Sequence, residues 1–242
     1  MRRSHAVAAA LAGSALLATA AAAGPAKTIH PECVKPADHA RTLFFRTSDK
    51  VRLAGVLLGK GTKGVTLAHQ SRGDLCIWMP FARVLARAGY LVLPFDFRGY
   101  GASAAGKRPD FPADVAAAGR ALRAAGAKSV IYLGASLGGT ASLTASALSP
   151  TPDGVVSLSG PAAFGDMDAK AAVAKVDVPL LLAAAKGDTA FSGDQQLVYD
   201  AAITSDKKVV LVSGFDHGVD VLFGEARARA RNEVFAFLRS HS

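Results

Sequence analysis

From about residue 41 onward the chain repeats one rhythm. Short runs rich in Val, Leu, Ile and Phe alternate with Ala/Arg/Leu stretches whose apolar positions recur once per helical turn. The apolar runs predict strands at 43–47, 51–58, 64–68, 91–95, 130–133, 154–158, 179–184 and 208–212. The stretches between them predict helices at 78–88, 112–125, 137–148, 194–202 and 219–239. In the last, Leu222, Phe223, Ala226, Ala230, Val234, Phe237 and Leu238 form one apolar stripe. Strands that alternate with helices predict the α/β class: an eight-stranded, mostly parallel sheet with helices on both faces. The first two strands are close enough to form an antiparallel hairpin. Residues 160–178 leave room for one short helix only, so little or no lid is expected over the sheet.

The amino end breaks this rhythm. Arg2, Arg3 and His5 precede an apolar, Ala-rich stretch over residues 6–23 that closes on small residues, the pattern of a secretory signal peptide cut near Ala23. The alternative is a retained anchor, since that stretch approaches a membrane-spanning length; its weak hydrophobicity favours cleavage and no stable membrane insertion afterwards. The organisation expected is a signal peptide at 1–23, an arm at 24–40 and one domain at 41–242, in a secreted or cell-envelope protein. Cys33 and Cys76 are the only cysteines, and an exported chain permits a disulfide between them that ties the arm to the body. Two cysteines so far apart, without histidines at ligand spacing, do not suggest a metal site.

Half of the residues are apolar and 19% are charged, which suits one sizeable core. The formal charge of +9 includes the two leader arginines. The remaining basic residues are scattered, apart from GEARARARNEV, where Arg227 and Arg231 lie one turn apart on what reads as the solvated face of the last helix. No basic cluster interleaved with aromatics points to a nucleic-acid partner.

Chemistry enters with VIYLGASLGGTASL. Ser136 stands between a β-branched run and a helix-like run, with Gly134 two before it and Gly138 two after, the strand-turn-helix setting that a G-x-S-x-G serine requires. Small residues at those positions let strand and helix approach closely while the hydroxyl stays clear at the carboxyl ends of the strands. A serine needs a base, and the base an orienting acid. Asp188 follows the most apolar of the late strands and is the expected acid; Asp194, its rival, reads as a helix cap. His217, in SGFDHGVD, follows the last strand and is the expected base. Its neighbour Asp216 is too close in sequence to orient it. His30 and His39 lie in the arm, His241 in the tail, and His69 precedes the serine and is expected to brace its loop. An oxyanion site would take one backbone N–H from Leu137 and a second from Gln70 or Ser71, in AHQSRGDLCIW. Trp78, Met79, Phe81, Phe191 and Phe215 are candidates for an acyl pocket, although apolar residues near helix starts are more often core.

The segments LAHQSRGD, FDFRGYGAS, GASLGG, KGD and GFDHG, in that order, resemble those of α/β-hydrolases over the whole region after the leader. The resemblance implies the fold just described, and FDFRGYGAS as a bracing loop in which Asp96 and Arg98 make internal polar contacts. It implies serine hydrolysis of small or soluble esters through an acyl-enzyme, with no metal or organic cofactor. Within that family the chain is similar to small, lid-poor, dienelactone-hydrolase-like esterases, although those that use a cysteine nucleophile differ at Ser136. Family members often carry His-Gly where this chain has His69-Gln70, which leaves the second oxyanion donor open. A peptidase or acyltransferase using the same three residues, or a non-catalytic exported protein, are the alternatives.

Overall fold

The structure is a computed structural model that describes residues 29–242. The expected signal peptide and the first five residues of the arm lie outside the described residues. The strands are β1 (Arg41–Arg46), β2 (Arg52–Leu57), β3 (Lys63–Ala68), β4 (Leu91–Asp96), β5 (Ser129–Ala135), β6 (Gly154–Leu158), β7 (Ala163–Phe164), β8 (Met167–Asp168), β9 (Leu180–Ala185) and β10 (Lys207–Val212). The helices are α1 (Met79–Arg87), α2 (Phe111–Ala124), α3 (Leu137–Ala145), α4 (Ala169–Val173), α5 (Thr189–Ala201) and α6 (Arg227–His241). Eight strands make one sheet in the order β1-β2-β4-β3-β5-β6-β9-β10. The first two pair antiparallel, as expected, and β2 joins β4 antiparallel. From β4 to β10 all pairing is parallel.

Because successive side chains of a strand point to opposite faces, each central strand feeds two cores. Val65, Leu67, Val92, Ile131 and Leu133 join one layer with Trp78, Phe81 and Leu85 near or on α1 and Val234 and Leu238 of α6. Leu91, Leu93, Val130 and Tyr132 join the other, with Val115 and Leu122 of α2, Ala141 of α3 and Val198 of α5. Helices therefore cover both faces. Parallel strands also place the turns that follow β3, β4, β5, β6, β9 and β10 on one edge of the sheet, where ligands of open α/β sheets bind.

Three local expectations are corrected. The helix expected at 194–202 begins at Thr189, so Asp194 is not its cap; its carboxylate instead accepts the Ala162 N–H at 3.0 Å. The helix expected at 219–239 is divided into a 3₁₀ turn at Gly218–Leu222 and α6 from Arg227. There the Phe223 and Gly224 amides both return to the Asp220 carbonyl at 2.8 Å and end the first turn. The segment between β6 and β9 holds the expected short helix, α4, and also an unforeseen hairpin of β7 and β8, whose two-residue strands are too short to show a period.

The arm is fixed to the body. Cys33 and Cys76 form the expected disulfide, with Cα atoms 5.6 Å apart. Arg83 on α1 donates to Asp38 at 2.6 and 2.8 Å and to the Cys33 carbonyl at 2.7 Å. His30 directs Nδ1 at Glu32 (2.9 Å) and Nε2 at the fully buried Asp96 (2.7 Å). Burial of the ring opposes its charge, but hydrogen bonds to Asp96 and Glu32 and the negative field of Asp96 and Asp74 outweigh that, and its pKa is raised.

Two outcomes follow. The bridge closes a loop of 43 residues, so replacing both cysteines by serine should remove on the order of 3–4 kcal/mol on the chain-entropy account; denaturant unfolding of the variant and the oxidised parent measures it. For His30, a pKa raised above the reference value of 6.5 means its contribution is fully present below that value. It is lost as pH rises through the higher folded value. Denaturant titrations from pH 5 to 9 should show this falling limb, and the limb should be absent in His30→Ala.

Candidate active site

Ser136 joins β5 to α3 with φ 50° and ψ −118°, a left-handed strain that a non-glycine residue adopts only where its surroundings enforce it. They do so by proximity. A Cβ on Gly134 would run into the Gly138 carbonyl, and a Cβ on Gly138 would run into the carbonyl of Ala68 at the end of β3. The two glycines expected from the motif are thus required by the separation between helix and strands. The Ser136 amide donates to the Leu158 carbonyl on β6 at 2.8 Å, and its own carbonyl accepts from Thr140 at 3.1 Å, so the turn is held from both sides. The residue is 8% exposed and sits at the amino end of α3. Leu137 is the first residue of that helix, and N–H groups of a first turn have no acceptor within the helix.

Asp188 and His217 stand at the ends of adjacent parallel strands. Pairing continues beyond those strands, with Lys186 N–H to Val212 O at 2.8 Å and Gly187 N–H to Gly214 O at 2.9 Å. This keeps the two loops side by side. His217 Nδ1 lies 2.8 Å from Asp188 Oδ2; a neutral imidazole that donates there leaves Nε2 with its lone pair. Phe191, on α5, lies against the same ring at a centroid separation of 4.4 Å. Phe215 folds over Gly187, where a Cβ would strike its ring, yet is 84% exposed. Asp216 makes no hydrogen bond to the imidazole among the described residues; a Cβ on Gly224 would meet its carboxylate.

The segments of Ser136 and His217 meet through their neighbours. Gly218 packs on Ala135, with 3.5 Å between a Cβ built on the one and the Cβ of the other. The turn after β3 is closed by Gly73 N–H to Gln70 O at 3.3 Å with Arg72 left-handed. The amide N–H of Gln70 has no acceptor among the described residues.

A family model described as alpha/beta hydrolase fold matches residues 65–179, the span from β3 to the start of β9. Solved structures agree over more of the chain. An esterase of Pyrococcus furiosus, Pf2001, superposes with a TM-score of 0.73 at 19% identity, covering 84% of this chain and 91% of its own. A hydrolase from Pseudomonas aeruginosa gives 0.68 at 20% identity, with 81% and 98% covered. Esterase RhEst1 from a Rhodococcus species gives 0.69 at 16%, with 83% and 99% covered. The chain has the α/β-hydrolase fold. No curated protein matches it in sequence.

In this α/β-hydrolase fold, the remaining expected residues separate into site and scaffold. Trp78, Met79 and Phe81 are fully buried and belong to the core, so they do not line an acyl pocket. Phe191 does lie against His217, whereas Phe215 lies over Gly187. His69 is completely buried, as a bracing residue should be. Its Nε2 accepts the Phe97 N–H at 3.1 Å and its Nδ1 donates to the Gln70 carbonyl at 2.8 Å, an assignment that fixes the neutral tautomer. Burial lowers its pKa in the same sense. Asp96 accepts from the amides of Leu75 (2.9 Å) and Ala102 (2.8 Å) as well as from His30. Arg98 is buried against Asp114, its Nε at 2.8 Å from Oδ1, and reaches Asp49 at 2.9 Å. The bracing loop is therefore held by ion pairs and by hydrogen bonds from backbone amides. A cleft of about 330 Å³ between α2, α3 and the β7–β8 hairpin, lined by Phe111, Thr144, Phe164 and Met167, includes none of Ser136, Asp188 or His217.

The residue that sequence reasoning undervalued is Gln70, read only for its backbone. Its side chain spans to the His217 loop, and no pattern in the local sequence announces a contact 149 positions away.

Gly138→Ala should be damaging, as should Gly134→Ala, because at either position the added Cβ meets backbone that cannot rotate aside. A loss of about 1–3 kcal/mol is expected from overpacking, and thermal unfolding of the variant beside the parent measures it.

Proposed function

We propose that this chain is a carboxylic ester hydrolase in which Ser136 is the nucleophile, His217 the general base and Asp188 the residue that orients it. The observation that carries the reading is the pairing of Asp188 with His217 Nδ1 at 2.8 Å, on a loop whose next residue packs beside the strained Ser136. Solved structures with this fold at low identity include two described as esterases, which is consistent with the chemistry proposed.

In this mechanism Ser136 Oγ attacks the ester carbonyl carbon and its proton passes to His217 Nε2. Asp188 stabilises the imidazolium without accepting the proton. The charge that develops on the carbonyl oxygen meets the Leu137 N–H and a second donor, the amide of Gln70 or Ser71, with the positive end of α3 behind them. Collapse breaks the bond to the alcohol oxygen, which leaves with the proton from His217. A water then gives its proton to the same nitrogen and attacks the acyl-serine; collapse breaks the bond to Ser136 Oγ, which takes the proton back from His217 as the acid is released. No step in this sequence calls for a metal or organic cofactor.

The substrate class follows from the cover. Between β6 and β9 stand only the β7–β8 hairpin and the five-residue α4, so the site is open, and small or soluble acyl esters suit it. Phe191 and the exposed Phe215 supply an apolar rim for the acyl group or the alcohol. Export, with the first 23 residues removed as a signal peptide, accords with the Cys33–Cys76 bridge, which an oxidising compartment preserves. Among the described residues no helix is long and apolar enough to cross a membrane.

The test is covalent labelling together with kinetics. A fluorophosphonate should label the wild-type protein and leave Ser136→Ala unlabelled. Asp188→Asn should retain the fold and lose roughly 10³–10⁴-fold in kcat for p-nitrophenyl acetate. Undiminished labelling of Ser136→Ala would remove the serine from the mechanism.

A further inference from the structure

We infer that Gln70 is a positioning residue for His217, acting through its side chain, and that it links the turn expected to bind the oxyanion to the loop that carries the base. The inference rests on the reading of His217 as that base.

The need arises at the 3₁₀ turn Gly218–Leu222. His217 occupies its cap position, and amides in the first turn of a helix need acceptors from outside it. A cap residue commonly supplies one from its own side chain. His217 cannot, because its ring is committed to Asp188, and it makes no capping bond. Gln70 provides the acceptor from another part of the chain: its Oε1 accepts the Val219 N–H at 3.1 Å. Val219 is itself buried, so water is a poor substitute. The fit is close as well as polar. Gly218 has φ 60°, and a Cβ there would strike Gln70 Oε1. The carboxamide thus presses on the residue directly after His217, and the same face of that residue approaches Ala135, directly before Ser136.

Gln70 is in turn held from behind. Its carbonyl accepts from His69 Nδ1 at 2.8 Å, and His69 Nε2 accepts the Phe97 N–H at 3.1 Å. A series of three hydrogen bonds therefore runs from the loop after β4, through the turn after β3, to the loop after β10. The side chain of Gln70 is its last member and its backbone N–H is a candidate oxyanion donor. Any shift of that turn moves the acceptor of Val219 and the donor to the substrate together. Misplacement of a base by about 1 Å can cost 10²-fold in rate.

Steady-state hydrolysis of p-nitrophenyl acetate by Gln70→Ala and Gln70→Glu, with His217→Ala and Ser136→Ala beside them, tests this. Gln70→Ala should lose at least tenfold in kcat with KM changed less than threefold, measured well below its unfolding temperature. Gln70→Glu keeps an oxygen acceptor, so it should recover most of kcat. Its added negative charge should move the acid limb of the pH–rate profile to higher pH by favouring the imidazolium, a change that a purely structural role would not produce. If Gln70→Ala fails to fold, the Gln70→Glu profile decides alone: no displacement of the acid limb overturns the inference. A Gln70→Ala protein that retains kcat within twofold, while His217→Ala and Ser136→Ala are inactive, overturns it and leaves the proposed mechanism standing. Activity that survives in His217→Ala sinks both.

Discussion

The structure depends on one steric constraint: the backbone of the first turn of α3 lies in contact with the carboxyl ends of β3 and β5. Gly134 and Gly138 exist to permit it, since a side chain at either would strike a carbonyl oxygen. Ser136 is caught between them at a positive φ, a conformation that costs on the order of 1–3 kcal/mol and persists only where the surroundings over-determine it. Here they are two buried layers on either face of an eight-stranded sheet. The strain is borne by the whole core, and the serine is consequently fixed in direction by the fold itself.

From that fixed point the other groups are placed by polar contacts. Asp188 and His217 are brought level by the continuation of β9–β10 pairing into their loops. The turn after β3 is set by a neutral, buried His69, which spans from the Phe97 amide to the Gln70 carbonyl. Beneath it, Asp96 collects donors from the arm, from the 3₁₀ turn that precedes α1 and from its own loop. These buried charges gain little for stability in themselves, because desolvation offsets much of their attraction. Their effect is to leave each loop one arrangement in which every charge is met.

How much of this was legible depended on the range of the signal. Strand positions were readable because parallel strands buried on both faces are continuous apolar runs, and the placement of Ser136, Asp188 and His217 beyond strand ends was readable because each follows such a run. Gly134 and Gly138 could be assigned from spacing alone, since the physics that selects them is local. Disulfide pairing was readable because two cysteines allow one bridge. The start of α5 was misread because Asp194 resembles a cap in sequence, while tertiary contact with Ala162 decided its use. The residues near the start of α1 were ambiguous for the same reason: Trp78, Met79 and Phe81 look alike as core or as pocket until the sheet beneath them is placed. Gln70 was invisible in its side-chain role, because its partner lies on the last loop of the sheet and neither segment records the other.

The hairpin of β7 and β8 has a bearing on how such a protein diversifies. It leaves the sheet after β6 and returns before β9, and it is anchored near its base by the Ala162–Asp194 hydrogen bond. Its tip is solvent-exposed at Gly165 and rests on no strand of the main sheet. Added residues there would extend over the rim without altering the register of any buried strand. The hairpin is thus a point at which the chain can be enlarged or reshaped by evolution while the sheet below it is left alone.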